Sequence, residues 1–260
     1  MYRPESRPKK RLGQHFLVDP NTARIVARGV GEDDVVLEVG PGRGALTSVL
    51  AEQARLVHAV ELDPDVIPEL RRALGAHENV LIHEGDALTF NYDALDPSPN
   101  KLVANLPYNI ASPLVLRLLE EAKLLTGLRF MAQLEVARRM AAERRTKDFG
   151  AYAVLAQLLA EVRVAHKVSP LVFEPPPRVW SAVVAMERRE FPEDYHRVKE
   201  LVLAAFKSRR KRLVNNLPEP LREKAPDALS CLGYGRDARA EELKPIDFLA
   251  LSRRLLEKAA

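Results

Sequence analysis

The hydrophobic pattern of this chain alternates between short, nearly continuous apolar runs and longer amphipathic stretches. Val35, Val36, Leu37 and Val39 form the first run, and Leu56 to Glu61, Val80 to His83 and Lys101 to Ala104 follow it. Such β-branched runs predict strands buried on both faces, as in a parallel sheet covered by helices. Between them the spacing predicts helices over Ala45 to Ala54 and Pro64 to Leu74, and after them over Pro113 to Ala122, Val136 to Ala142 and Ala151 to Val162. Asp19-Pro20 predicts a capped helix start for the segment Asn21 to Val30. The resulting βαβαβ order predicts a doubly wound, mostly parallel α/β sheet. Later, Leu128 to Leu134 reads as another strand, and Val162 to Val168 and Val179 to Met186 flank a proline-rich loop, Ser169 to Arg178. Strands joined by so short a loop predict an antiparallel edge. Beyond about Phe191-Pro192 only helical pattern remains, so the chain divides into an α/β domain over 1–190 and a small all-α domain over 191–260. The stretch from Arg11 to Leu17 has neither a helical nor a strand pattern.

The first strand stops at Gly40, and Gly42 and Gly44 follow at alternate positions before the amphipathic segment begins. This is a strand, tight loop and helix, where glycines let the backbone approach a ligand closely and the helix N-terminus offers free N–H groups. Glu61, closing the next strand, stands where a ribose-binding acid belongs. The loop and acid together fit either a nicotinamide enzyme or an S-adenosylmethionine enzyme.

Composition narrows the class. The chain has 260 residues and a single cysteine, Cys231, which excludes an internal disulfide framework and fits a reducing, cytoplasmic compartment. No apolar run approaches membrane-spanning length, and the basic amino terminus is not followed by the apolar segment of a secretory signal. The net charge is only +4, but residues 1–11 and 138–147 each carry +4 and Lys207 to Arg212 carry +5, which leaves −9 on the rest. Three basic clusters on an otherwise acidic chain point to a phosphate-rich partner. The six histidines and Cys231 show no metal-ligand spacing, so no metal is expected.

Asn105-Leu106-Pro107-Tyr108 closes the fourth strand and faces the same crevice as the glycine loop, because ligands of open α/β sheets bind at the carboxyl ends of the strands. As a turn it is unremarkable, but it also suits one reaction. An exocyclic amine on an aromatic base is a poor nucleophile, its lone pair being delocalised into the ring. If the Asn105 side-chain oxygen and the Leu106 carbonyl accept its two hydrogens, the nitrogen can pyramidalise and direct its lone pair at an electrophilic methyl group. Tyr108 would supply a face for the extruded base, worth about 1–3 kcal/mol.

Several motifs occur together in order: Arg11-Leu-Gly-Gln-His-Phe-Leu, Glu38 to Gly44, Glu61-Leu-Asp, Gly85-Asp86-Ala, Asn105-Leu-Pro-Tyr-Asn-Ile, Phe173-Glu-Pro-Pro-Pro-Arg-Val-Trp-Ser and Phe206-Lys-Ser-Arg-Arg-Lys-Arg. The set resembles the ribosomal RNA adenine dimethyltransferases, most closely their small-subunit (KsgA) branch, over residues 10–258. The resemblance implies a Rossmann-like S-adenosylmethionine-dependent methyltransferase fold. It implies dimethylation of two adjacent adenosines near the 3′ end of 16S ribosomal RNA, in the 30S particle or its precursor, with a role in small-subunit biogenesis. It further implies that His15 and Leu17 contact the cofactor near its methionine end, that Gly40 and Gly42 frame it, and that Glu61 binds the ribose hydroxyls and Asp86 the adenine amine. Asn105 would touch both cofactor and base, and Phe173, by residue type a core aromatic, would pack on the base opposite Tyr108. Lys207, Arg209, Arg210, Lys211 and Arg212 would grip RNA phosphates. The sequence itself does not give the oligomeric state; a monomer is the expectation.

Three positions depart from the family pattern: His15 stands for a frequent Asn, Phe149 for a Tyr and Leu134 for a Lys. None touches Asn105 to Tyr108. The large-subunit, antibiotic-resistance branch and a non-catalytic ribosome-assembly or transcription factor are the competing readings, with a nicotinamide oxidoreductase more distant.

Overall fold

A computed structural model describes residues 8–9, 12–75 and 77–256. The chain forms two compact units, one of residues up to 137 with 162–188, the other of 138–161 with 189 onward. Most of the first basic cluster, residues 1–7, 10 and 11, lies outside the described residues.

The first unit is built on a seven-stranded sheet of order β4-β3-β2-β5-β6-β9-β7. Its strands are β2 (Val35–Val39), β3 (Leu56–Glu61), β4 (Val80–Glu84), β5 (Lys101–Asn105), β6 (Gly127–Gln133), β7 (Ala160–Val168) and β9 (Ser181–Arg188). Strands β4, β3, β2, β5 and β6 are parallel, and β9 runs antiparallel to β6. This is the predicted mostly parallel sheet with an antiparallel edge, and every residue of β2 is buried, as a doubly covered central strand requires. The chain leaves β2 toward β3 on one side and returns to β5 on the other. The carboxyl ends of β2 and β5 therefore open the crevice at the topological switch point.

The helices follow the amphipathic stretches, with small shifts in their bounds. Helix α1 (Pro20–Val26) is capped by Asp19, whose carboxylate accepts from Thr22 N at 2.7 Å. Helix α2 (Ala45–Gln53) follows the glycine loop, α3 (Ile67–Leu74) begins one turn later than Pro64, and α4 (Ala111–Glu121) follows Asn105 to Tyr108. Helix α5 (Leu134–Met140) starts directly at the end of β6.

Two expectations need correction. Phe16–Leu17 is a two-residue strand, β1, antiparallel to β8 (Phe173–Glu174), with Phe16 opposite Glu174 and Leu17 opposite Phe173. No local pattern announced it, because both strands exist only through each other. Helix α6 (Ala151–Leu159) ends before Val162, and β7 takes over at Ala160, where the backbone becomes extended.

In the second unit α6 packs against α7 (Tyr195–Ala205) and α9 (Pro245–Leu256), and α9 also packs on α8 (Leu221–Cys231). The buried Phe149 meets Phe206 edge to face at 6.1 Å, and Phe206 lies 6.0 Å from the buried Phe248. The mostly apolar α6 thus packs with the late helices, although it precedes β7 in the chain.

Candidate active site

The crevice is a cavity of about 220 Å³ entirely within the first unit. His15, Leu17, Gly40, Gly42, Glu61, Asp86, Asn105, Leu106 and Tyr108 all line it, although they come from five separate stretches of chain. Phe173 does not line it. Its ring is 3 % exposed and belongs to the apolar cluster of Leu17, Val168 and Val183. Paired opposite Leu17, Phe173 supports the strand that borders the cavity instead of forming a wall of it.

The glycine loop is shaped by contacts that a side chain would break. Gly42 has φ of +55°, and a Cβ there would stand 2.9 Å from Cδ1 of Phe16. Its N–H donates to Glu61 Oε2 at 3.1 Å, while Glu61 Oε1 accepts from Asp63 N at 2.8 Å. Burial raises the Glu61 carboxyl above its ordinary range, and these two backbone donors oppose that. At the far edge Asp86 Oδ1 accepts from Leu88 N at 2.9 Å, which orients the exposed carboxylate.

Asn105 is held in one orientation. Its Nδ2 donates to the His15 carbonyl at 3.1 Å; a flipped amide would set two acceptors against each other. Oδ1 is shielded from solvent, and among the described residues it has no hydrogen-bond partner. His15 is fixed in turn, its Nδ1 lying 2.7 Å from the Pro175 carbonyl. A carbonyl only accepts, so Nδ1 carries the hydrogen. The His15 ring lies 5.4 Å from that of Tyr108, whose hydroxyl lies 2.5 Å from Ser181 Oγ.

Several residues at this site escaped the sequence reading. Lys9 Nζ pairs with Asp63 and Asp65, each at 2.6 Å, and Gln14 Nε2 donates to Asp63 at 2.8 Å, so Lys9 and Gln14 are both tied to the strand end that carries Glu61. Arg43 lies over the Phe16 ring at 4.2 Å and pairs with Glu69 and Glu174, each at 3.3 Å, clamping β1 and β8 to the glycine loop. Glu38, 1 % exposed on β2, has its carboxyl pushed up to about 8 by burial, against which its hydrogen bond with Thr47 acts. The only sequence signal was that Gln14, Glu38, Arg43, Asp63 and Ser181 lie inside the quoted motifs.

In the second unit Lys207, Arg209, Arg210, Lys211 and Arg212 are all exposed. Arg209 donates to the carbonyls of Lys147 and Thr146 at 2.6 and 3.3 Å and pairs with Glu241 at 3.1 Å. The clusters at 138–147 and 207–212 are therefore one region. Arg210, Lys211, Arg212 and Arg239 line a second cleft there, of about 630 Å³. Among the described residues no group of three or more His, Cys, Asp or Glu side chains could hold a metal, and no helix is long and apolar enough to cross a membrane.

Comparison with known proteins places these features in a lineage. Residues 5–257 match the family model described as ribosomal RNA adenine dimethylase. The chain is 71 % identical to the ribosomal RNA small subunit methyltransferase A of Rubrobacter xylanophilus, over 96 % of this chain and 95 % of that protein. Among solved structures it is similar to a dimethyladenosine transferase from Plasmodium falciparum, with a TM-score of 0.81 and 26 % identity, over 91 % of this chain and 96 % of the other. It is also similar to the 23S rRNA methyltransferase ErmE, with a TM-score of 0.72 and 32 % identity, over 93 % of this chain and 100 % of the other.

Proposed function

The chain belongs to the ribosomal RNA adenine dimethylase family, and on that premise we propose that it dimethylates two adjacent adenosines near the 3′ end of small-subunit (16S) ribosomal RNA. It is an S-adenosylmethionine-dependent RNA methyltransferase. The higher identity to a small-subunit enzyme than to the 23S enzyme favours the small-subunit substrate over the large-subunit reading. The substrate particle in this reading is the 30S subunit or its precursor, the protein works as a monomer in the cytoplasm, and it contributes to subunit biogenesis.

The observation that carries the reading is the buried Oδ1 of Asn105, a residue lining the cavity, which has no hydrogen-bond partner among the described residues. An acceptor desolvated in this way costs free energy unless a donor arrives, and an adenine amine is such a donor. The cavity also fits the cofactor: Gly40 and Gly42 line it with backbone alone, and Glu61 offers its remaining lone pairs to a diol. S-adenosylmethionine, when bound, supplies an electrophilic methyl group. Asn105 Oδ1 and the Leu106 carbonyl each accept one amine hydrogen of the target base. That withdraws the nitrogen lone pair from the ring and orients it. Tyr108 presents the stacking face. Catalysis is then positioning plus acceptors aimed at charge that develops in the transition state, and the surplus proton of the methylated amine leaves to water.

Gly40 and Gly42 frame the cofactor in this proposal, His15 and Leu17 border its methionine end, and Asp86 receives its adenine amine. Phe173 acts through Leu17, holding β1 in place. Lys207 and Arg210 to Arg212 contact RNA phosphates. The test is methyl transfer from labelled S-adenosylmethionine to unmethylated small subunits with mapping of the product, using Asn105→Ala as control. Dimethyladenosine near the 3′ end that disappears in the variant is the expected result. Binding to subunits with no transfer would leave only an assembly role.

A further inference from the structure

Ser181 closes the Phe173 to Ser181 motif, and nothing above assigns it a role in the reaction. It opens β9, is fully buried, and is paired with Gln133 at the carboxyl end of β6. Sheet register therefore fixes its position. Tyr108 is different: it lies on the turn between β5 and α4, and its ring is free to turn about two side-chain torsions unless something holds it. Its hydroxyl lies 2.5 Å from Ser181 Oγ, and the His15 ring, anchored on the Pro175 carbonyl, lies 5.4 Å from its own.

We propose that Ser181 is a positioning residue for methyl transfer, fixing from the sheet the Tyr108 ring face on which the target base stacks. The inference rests on the proposed function and deepens it. Each transfer forms one C–N bond while the methyl–sulfur bond breaks with its electron pair left on sulfur, and one proton passes to water. The first transfer uses an amine with two hydrogens, which Asn105 Oδ1 and the Leu106 carbonyl can both accept. The second uses a monomethylated amine with one hydrogen, so only one of those hydrogen bonds remains to orient it. Stacking on Tyr108 must then carry more of the alignment. Loosening the ring should harm the second transfer more than the first.

The test uses the full chain, S-adenosylmethionine and unmethylated small subunits, following monomethyl- and dimethyladenosine separately in single turnovers. Ser181→Ala is expected to slow the second transfer about tenfold and the first no more than about threefold, since small misplacements are costly in rate. Monomethyladenosine should accumulate. Tyr108→Phe, which keeps the ring and loses the hydroxyl, should give the same pattern, and the double variant should be no worse than either single one. Ser181→Thr should restore the product ratio. A readout independent of turnover is the quenching of 2-aminopurine placed at the target position in the RNA; it should weaken in Ser181→Ala and Tyr108→Phe. An unchanged product ratio, unchanged quenching, or additive effects in the double variant would overturn the proposal. If the wild-type chain transfers no methyl group, the functional reading fails separately, and the quenching comparison still decides the role of Ser181.

Discussion

The side-chain amide of Asn105 donates to the backbone carbonyl of His15 at 3.1 Å, across ninety residues of chain, and this bond leaves Oδ1 buried with no hydrogen-bond partner among the described residues. Asn105→Ala removes that acceptor. We expect kcat for methyl transfer to fall about 10²- to 10³-fold, in the range seen when one preorganised transition-state hydrogen bond is lost. Asn105→Asp should be equally impaired, because it sets a carboxylate oxygen against the His15 carbonyl. Single-turnover rates check both, and retention of activity within a factor of about three would remove Asn105 from the mechanism.

Gly42→Ala should abolish tight cofactor binding. The new Cβ would stand 2.9 Å from Phe16 and would occupy a backbone with φ of +55°. Gly29→Ala is the control, since Gly29 has φ of +87° but nothing within 4 Å of an added Cβ. That control should show only the left-handed backbone cost, about 1–2 kcal/mol. Thermal unfolding and calorimetric titration with S-adenosylmethionine separate the two effects. Equal affinity in both variants would mean that the Phe16 contact does not shape the site.

Glu38 should make stability fall with rising pH. Burial pushes its carboxyl up to about 8 from an ordinary value of 4.5, so between those values the folded chain holds a proton that the unfolded chain has released. The stability it contributes is full below about 4.5 and is lost as pH rises through about 8, at up to about 1.4 kcal/mol per pH unit. Glu38→Gln should flatten this dependence. Urea unfolding of both proteins from pH 5 to 9 measures the difference, and parallel curves would show that Glu38 is ionised in the folded chain.

The basic cluster should split into two behaviours. Replacing Lys207, Arg210, Lys211 and Arg212 by Ser is expected to weaken small-subunit binding and to reduce the slope of log affinity against log salt by about 3. Arg209→Ala should lower the unfolding temperature instead, because its guanidinium is committed to the Lys147 and Thr146 carbonyls and to Glu241. Binding titrations over a range of salt, with melting curves, check both; an unchanged salt slope in the fourfold variant would remove these residues from the RNA surface.

Much of the site was legible in the chain because its signals are local. The apolar run of β2, the glycines after it, and Asn105 to Tyr108 after β5 are each specified by backbone conformation and burial within a few residues, and sheet topology then makes their ends adjacent. The capped start of α1 and the antiparallel strand β9 were readable for the same reason. The sequence alone thus determined the α/β sheet, its glycine loop and the motif facing that loop. Only the tertiary structure decided which distant segments meet: Phe16 and Leu17 with Glu174 and Phe173, Lys9 with Asp63, Tyr108 with Ser181, and Arg209 with Lys147. It also buried Phe173 and grouped α6 with the late helices. These pairings depend on register and packing between segments tens to more than a hundred residues apart, where one side chain's pattern carries no information about its partner.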